Sequence, residues 1–334
     1  MNNNYQIIEL TAETADKYWQ LRYECFTQHR RPTDINYSDS QHCRERLLAN
    51  REERKLFCFM VFSSDELQAI FGFRTGLEEG QPHLYSQITC VQNQCSGELL
   101  SAILSFLNNR ESEEYTVHIK INARLEEQQI SRFRLKTRVA ISTFLANRND
   151  ICFNPLNQWR QDAEKQNTGL RIEFHTELPE VVIDEYAEIF NSFWADLPTI
   201  DVSLAKNITA EDLRQEQISH QEKGNLVYRW LVFNEENRLV AQTYLEIYKV
   251  APEYIYQCMT GVIKEYRGRG IGKWLKSIMY PMILEKHPEI KGIVTDMQES
   301  NSYIQNINRQ IGFQPINVGG EYIMNREEFA KWRE

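Results

Sequence analysis

The segment EYIYQCMTGVIKEYRGRGIGKWLK, residues 253–276, decides the assignment of the fold. An apolar run rich in β-forming residues ends near Ile263, and three glycines then stand among basic residues. After them, apolar residues recur at three-to-four-residue spacing from Trp274 to Ile283, which predicts a helix. The segment therefore predicts a strand, a glycine loop and a helix, in which Pro281 should introduce a kink or a local break.

The glycine loop is suited to an anion, because amides at a helix N-terminus lack intrahelical acceptors and the helix dipole adds roughly half a positive charge there. Two common nucleotide motifs do not fit. Trp274 replaces the Ser or Thr that follows a Walker A lysine, and Gly272 comes one residue too early for GxGxxG. A solvated basic turn without a ligand is the simpler alternative.

The pattern Arg-x-x-Gly-x-Gly, from Arg267 to Gly272, resembles the acyl-CoA pyrophosphate loop of the GNAT acyltransferase superfamily. Downstream, NSYIQNINRQIGF resembles the second motif of that family, in which an Asn opens a helix that ends in Gly-Phe. The corresponding residues are Asn301, Gly312 and Phe313. The two segments together are similar to a branch of two-domain bacterial GNAT proteins, to which mycothiol synthase is related in architecture.

The chain also repeats itself. QIIELTAETADKYWQLRYECFTQHRRPTD in the first half matches RIEFHTELPEVVIDEYAEIFNSFWADLPTID in the second, with Pro32 and Pro198 in corresponding places. Further blocks follow in the same order, which predicts two domain-sized copies rather than a solenoid. We place the boundary in the polar stretch 154–169. This gives a degenerate N-terminal GNAT-like domain, residues 1–160, and a C-terminal GNAT domain that binds acyl-CoA, residues 161–334.

The fold class is α/β (α+β). The resemblance implies that each copy has a mixed, largely antiparallel central sheet flanked by helices. In the second copy, LVYRWLVFN, RLVAQTYLEIYKV, EYIYQCMTGVI and IKGIVTD predict strands, and SNSYIQNINRQI predicts a helix closed by Gly312. In the tail, Gly319 and Gly320 predict a hairpin, which a short helix follows.

The resemblance implies a set of CoA-binding residues. Pantetheine would pair with the strand edge at Gly261, Val262 and Ile263. Asn301 would hydrogen-bond the pantetheine arm, although capping the helix is an equally ordinary use of an Asn there. The pyrophosphate would rest on the loop amides, with one of the two loop arginines reaching the phosphate oxygens. The loop residues are Arg267, Gly268, Arg269, Gly270, Ile271, Gly272 and Lys273.

The catalytic residues depart from the family pattern. Asn308 stands where the family usually has a Tyr acid, and an amide can orient a thioester or stabilise a sulfur anion but cannot donate a titratable proton. Tyr303 is a candidate substitute, unless it only packs.

The glutamate base of many GNAT members is also missing from the strand before the loop. Glu246 is the substitute that we predict, because Tyr244, Glu246 and Tyr248 share one face of a strand. If that face is exposed, Glu246 is an ordinary surface carboxylate. Asp296 and Glu299 are further candidates.

The loop of the first copy differs. QNQCSGELL keeps only Gly97, has no arginine and places Glu98 near the helix start, where a carboxylate satisfies the helix dipole and repels a pyrophosphate. We therefore expect the first copy to bind no CoA. It could instead support the fold, shape the acceptor cleft or replace the second subunit of a dimer.

These features predict an N-acyltransferase that moves an acyl group, acetyl by default, from acyl-CoA to an amine in a ternary complex. The sequence does not identify the acceptor, which is an amine of a small molecule or a peptide. The acyl donor is acetyl-CoA or a longer acyl-CoA, and the protein is a monomer or a homodimer. The alternative function is a catalytically degenerate acyl-CoA-binding or sensing module. A single basic site in a chain of net charge −9 disfavours nucleic acid as a partner.

The composition agrees with a cytoplasmic protein that works without a metal. The seven cysteines are scattered without a CxxC pair, which argues against a disulfide framework and a zinc site. The sequence shows no apolar run long enough for a membrane helix and no secretory signal, so we expect no membrane association.

Overall fold

The structure is a computed structural model. Most of the first repeat block, with Pro32, and the second repeat proline, Pro198, lie outside the residues that it describes. The described residues are 5–11, 13–16, 56–78, 80–91, 94–111, 115–195, 207–249 and 251–332. No helix among them is long and apolar enough to cross a membrane.

The chain forms two compact units, residues 1–142 with 317–334, and residues 143–316. The described strands are β1 (Tyr5–Glu9), β2 (Phe57–Ser63), β3 (Glu66–Glu78), β4 (Gln81–Cys90), β5 (Thr116–Ile121), β6 (Lys136–Asn147), β7 (Arg171–His175), β8 (Leu226–Phe233), β9 (Leu239–Ile247), β10 (Tyr254–Val262), β11 (Gly292–Gln298) and β12 (Gln314–Met324). The described helices are α1 (Gly97–Arg110), α2 (Glu127–Arg132), α3 (Phe153–Gln166), α4 (Ile183–Ala195), α5 (Ala210–Glu222), α6 (Ile271–Lys286), α7 (Ser302–Ile311) and α8 (Arg326–Ala330).

The sheet of the first unit has the order β1-β2-β3-β4-β5-β12, and the last strand comes from the C-terminus of the chain. All neighbours are antiparallel except β4 and β5. Helix α1 buries one face against this sheet, since its apolar residues recur at helical spacing. The buried residues of that face are Leu99, Leu100, Ile103, Leu104 and Leu107.

The sheet of the second unit has the order β6-β11-β10-β9-β8-β7, to which β6 contributes residues 143–147. Strands β10 and β11 pair in parallel, and β7 to β10 are antiparallel neighbours. Side chains alternate between faces along β8: Trp230 packs with α3, α6 and α7, whereas Leu231 packs with α4 and α5. The second unit thus has helices on both faces.

Three local predictions differ from the structure. The segment 154–169 lies mostly within α3, which packs Leu156, Trp159 and Ala163 into the core instead of acting as a polar linker. The domain limits at 160 and 161 remain a prediction about the two copies. Helix α6 runs through Pro281 without a break.

The predicted hairpin at Gly319 and Gly320 is wrong, because β12 continues straight through both glycines and pairs with β5. A Cβ on Gly319 would lie 2.6 Å from the carbonyl oxygen of Ile121. The glycine therefore permits close approach of two strands, and it does not make a turn.

Candidate functional site

Strands β10 and β11 form a fork. Their parallel pairing covers three residue pairs, from Tyr254–Gly292 to Tyr256–Val294, and both strands then continue. We call residues 257–262 of β10 and 295–298 of β11 the fork. At its vertex, Thr295 Oγ1 donates to the carbonyl oxygen of Gln257 at 3.0 Å. Beyond the vertex, the described residues of β10 and β11 form no further ladder pairs, and a strand edge without a neighbouring strand can pair with an extended ligand.

A β-bulge shapes the β10 arm of the fork. The register with β9 shifts between Gln257 and Thr260, so these two side chains come to the same face, and Gln257 Nε2 donates to Thr260 Oγ1 at 3.2 Å. Thr260 Oγ1 in turn lies 2.7 Å from Thr243 Oγ1 on β9. A bulge bends its strand, and this one lies where the pairing of β10 with β11 ends.

The glycine loop follows β10 directly. Gly268 and Gly270 have φ of 78° and 75°, and a Cβ on either would meet no atom within 4 Å. The first bond of α6 runs from the Trp274 amide to the Gly270 carbonyl at 2.9 Å. Among the described residues, the amides from 271 to 273 have no recorded acceptor. Left-handed glycines, open space and unpaired amides at a helix N-terminus together make a cradle for an anion.

The loop side chains pack on the loop and its surroundings. Arg267 Nε donates to the Val262 carbonyl oxygen at 2.9 Å. The Arg269 guanidinium lies 4.7 Å from the centre of the Tyr266 ring, and the Lys273 ammonium lies 5.0 Å from that of Trp159. These basic groups therefore border the cradle, and their contact with phosphate remains a prediction.

All three predicted strand-edge residues have contacts of their own, since Arg267 already donates to the Val262 carbonyl oxygen. The Ile263 amide donates to the Val240 carbonyl oxygen on β9 at 3.0 Å. Gly261 lies so close to the Phe193 ring that a Cβ would fall 2.1 Å from it. Gly261 is thus required by the packing of α4 against β10, independently of any ligand.

Helix α7 brings one predicted residue to the fork and leaves another outside. Asn301 caps the helix, since its side-chain oxygen accepts from the Ile304 amide at 3.2 Å. Asn308 is fully buried, and its Nδ2 lies 3.0 Å from the Met297 sulfur on β11. Tyr303 is 64% exposed, and no contact with the fork is recorded within the described chain.

Glu246 lies on the opposite face of the sheet from α6 and is 5% exposed. The Tyr248 hydroxyl donates to Oε2, and His220 Nε2 of α5 lies 3.5 Å from Oε1. Burial raises the pKa of Glu246 above its ordinary value. Glu246 is therefore a better proton acceptor than an exposed carboxylate. The alternative, an ordinary surface carboxylate, is wrong because the side chain is buried.

Glu216, His220 and Arg229 lie close to Glu246, and none of the three was predicted from the sequence. Glu216 and His220 are one turn apart on α5, and Arg229 is 3% exposed on β8. The sequence offered two signals for these residues. One is the i, i+4 spacing of Glu216 and His220, and the other is the charged residue Arg229 in an apolar strand. One ligand atom from each of Glu216, His220 and Glu246 lies within 4.8 Å of the others, a spacing that suits a metal ion. The charge of Arg229 acts on both carboxylates and opposes a cation.

The other predicted carboxylates lie elsewhere. Asp296 accepts from the Tyr256 hydroxyl and, at 2.6 Å, from Thr143 Oγ1 on β6, so it bridges the base of the fork. Glu299 follows β11, and its backbone carbonyl accepts from the Gln305 side chain at 2.8 Å.

A buried lysine lies on the α6 side of the fork. Lys276 is 1% exposed, and its Nζ donates to Gln257 Oε1 at 2.5 Å and to the Tyr280 hydroxyl at 3.2 Å. Burial lowers the pKa of Lys276 to about 7, and no carboxylate partner is recorded for it within the described residues. This network fixes the Gln257 side chain at the vertex.

The corresponding strands of the first unit do not open. β4 and β5 pair over six residues, up to Ile88–Ile121. Beyond them, the Asn122 side chain accepts from the Cys90 amide at 2.8 Å and donates to the Cys90 carbonyl oxygen at 3.2 Å. The N-terminus of α1 is capped by Ser96 Oγ, which accepts from the Leu99 amide at 3.1 Å.

Solved structures with both units of this fold are similar to the chain. A tandem GNAT protein from the clavulanic acid biosynthesis pathway is 16% identical and matches with a TM-score of 0.62 over 96% of this chain and 98% of its own. A GCN5-related N-acetyltransferase from Sphaerobacter thermophilus is 12% identical, with a TM-score of 0.57 over 97% and 96%. An acetyltransferase of the GNAT family from Colwellia psychrerythraea is 12% identical, with a TM-score of 0.50 over 96% and 100%.

No protein-family model matches the sequence, and no curated protein matches it significantly. The structural likeness nevertheless extends over almost the whole chain. The chain has an α/β fold built of two sheets with flanking helices, and this fold is the tandem GNAT fold. The predicted fold class and architecture are confirmed.

Proposed function

We propose that the protein is an acyl-CoA-dependent N-acyltransferase, which transfers an acyl group, acetyl by default, directly to an amine. The observation that carries this proposal is the continuity of the fork with the glycine cradle in the unit of residues 143–316. CoA is an extended pantetheine arm with a pyrophosphate at one end. A strand edge suits the arm, and a helix N-terminus suits the pyrophosphate. The proposal fails if calorimetry with CoA detects no binding to the full chain.

The residues present fit CoA. The amides from 271 to 273 and the open space at Gly268 and Gly270 would hold the pyrophosphate, and the open edge of β10 would hold the pantetheine arm. Asn301 and the basic loop residues remain candidates for contact. When bound, acyl-CoA supplies a thioester, which is the activated acyl group.

Glu246 would then take the proton that the amine loses. A Lys-like ammonium has a pKa near 10 and must be deprotonated before its nitrogen can attack a carbonyl. Glu246 is buried on the face of β9 that packs against α4 and α5, and its raised pKa favours this task. The acceptor is an amine of a small molecule or a peptide, and mass spectrometry of a broad amine panel would identify it.

Glu246→Gln is expected to lower kcat by about 100-fold or more, the usual range for loss of a general base. CoA affinity should stay within about twofold, because Glu246 is not in the cradle. Steady-state kinetics and calorimetry on the same preparations would measure both. Glu173→Gln, on the partly exposed strand β7, is the matched control and should leave kcat unchanged. An unchanged kcat in Glu246→Gln would remove Glu246 from the mechanism.

One CoA should bind per chain. Among its described residues, the first unit keeps β4 and β5 closed with Asn122, caps the Leu99 amide of α1 with Ser96 and carries Glu98 in the first turn of α1, where a carboxylate repels a pyrophosphate. Calorimetric titration should therefore give a stoichiometry of one, and Gly97→Asp should not change it. A stoichiometry of two would contradict this assignment.

The second candidate function is a module that binds or senses acyl-CoA without transfer. The observation in its favour is Asn308, whose buried amide lies against Met297 where an acid would be needed. Tight CoA binding without transfer to any amine in the panel would support it.

A further inference from the structure

Glu246, His220 and Glu216 form a cluster whose members differ in exposure. The side chain of Glu246 is 7% exposed and that of His220 is 15% exposed, whereas Glu216 is an exposed residue. One ligand atom from each lies within 4.8 Å of the others. The Tyr248 hydroxyl donates to Oε2 of Glu246, and Oε1 lies nearest to His220 Nε2, at 3.5 Å.

The proposed reaction needs a route for one proton. An amine arrives at neutral pH as an ammonium, and the products are a neutral amide and a CoA thiol. Of the two protons that the nitrogen loses, one restores the thiol and the other must reach solvent. Since Glu246 is buried, it has to pass that proton to another group.

We propose that His220 and Glu216 form a relay that carries this proton from Glu246 to the surface. This inference rests on the proposed function. His220 Nε2 takes the proton from the Glu246 carboxyl and passes the same proton on to the Glu216 carboxylate or to water, while Nδ1 stays beside the Asn225 side chain at 3.4 Å. No bond other than those to the proton changes, and the three groups return to their first state after each turnover.

The proton affinities of the three groups converge, as a relay requires. Burial raises the pKa of Glu246 and lowers the pKa of His220. Burial of its carboxylate also raises the pKa of Glu216, although the residue as a whole is exposed.

The charged and titratable neighbours come from each adjoining element. They are Tyr186 of α4, Arg229 of β8, Tyr244 of β9, Tyr248 after β9, Cys258 of β10 and Lys223 at the end of α5. Arg229 is the permanent buried charge among them, and its positive charge opposes a cation at the cluster.

The test is His220→Gln, measured in dilute and in concentrated imidazole buffer. We expect kcat to fall by about tenfold or more in dilute buffer and to recover as imidazole increases, since a diffusible base replaces the missing ring. His175→Gln is the matched control, because His175 also lies near a glutamate, Glu173, at 3.2 Å but on strand β7. It should show neither effect. A loss in His220→Gln that imidazole does not restore, or no loss, would overturn the relay.

A second readout is independent of activity. In nitrogen-labelled protein, the titration of His220 followed by NMR should be coupled to its neighbours and should simplify in Glu216→Gln, a surface change that preserves the fold. Titration of His220 that Glu216→Gln leaves unchanged would overturn the relay even in a protein that transfers no acyl group. If the titration is coupled but the wild type is inactive, the proposed function fails and the proton-sharing cluster stands.

Discussion

Gly270→Glu is expected to abolish CoA binding and to leave the second unit folded. Gly270 has a φ of 75°, and a Cβ there would meet no atom within 4 Å, so the new carboxylate enters the space in front of the α6 amides. A fixed negative charge at this position would occupy the anion cradle and repel a pyrophosphate. We expect the affinity for CoA to fall by about 100-fold or more, which corresponds to about 3 kcal/mol. Calorimetry with CoA measures this loss.

Gly80→Glu is the matched control for Gly270→Glu. Gly80, in the turn between β3 and β4, has a φ of 78° and the same open space around its Cβ position. Both substitutions therefore carry the same change of charge and a similar backbone strain of about 1 kcal/mol. If the cradle is the binding site, only Gly270→Glu loses affinity. Equal affinities in the two variants would refute the assignment of the loop.

The cradle could be predicted from the sequence because all its parts are contiguous. A strand, two glycines that need positive φ and a helix N-terminus occupy residues 254–274, and local rules connect each residue type with its conformation. The same holds for α7, where Asn301 and Gly312 cap the two ends as predicted.

The cluster of charged residues around Glu246 could not be predicted in the same way. Glu246 was selected from the alternation of β9, but its partners come from α5 and β8, and no local pattern shows that these elements meet. The charge of Arg229 in an apolar strand indicates a buried partner without identifying it.

The glycines of the tail show a different limit. Gly319 and Gly320 suggest a turn, yet glycine also serves close strand approach, and only the position of Ile121 on β5 distinguishes the two uses. Similarly, the closure of the first unit depends on Asn122, a residue with no signal in its local sequence.

Lys276→Met is expected to stabilise the protein at neutral and acidic pH. The folded protein holds the pKa of Lys276 at about 7, against 10.5 for an exposed lysine, because the ammonium would be fully buried. This difference corresponds to a destabilisation of about 5 kcal/mol below pH 7, where the amine is protonated in both states. Methionine removes that term and fills a similar volume. The lost hydrogen bonds to Gln257 and Tyr280 offset about 2 kcal/mol, which leaves a net gain of about 3 kcal/mol.

The pH dependence gives the sharper test of Lys276→Met. Between pH 7 and pH 10.5 the unfolded chain binds a proton that the folded protein does not, so the free energy of unfolding of the wild type should rise with pH across this window. In Lys276→Met that rise should be absent, and the two proteins should converge or cross at high pH. Lys286→Met, at the exposed end of the same helix, is the control and should keep the slope of the wild type. Denaturant unfolding at a series of pH values measures these slopes. A wild-type slope in Lys276→Met would show that the amine stays charged in the folded protein and that its contacts at the vertex of the fork are those of an ammonium.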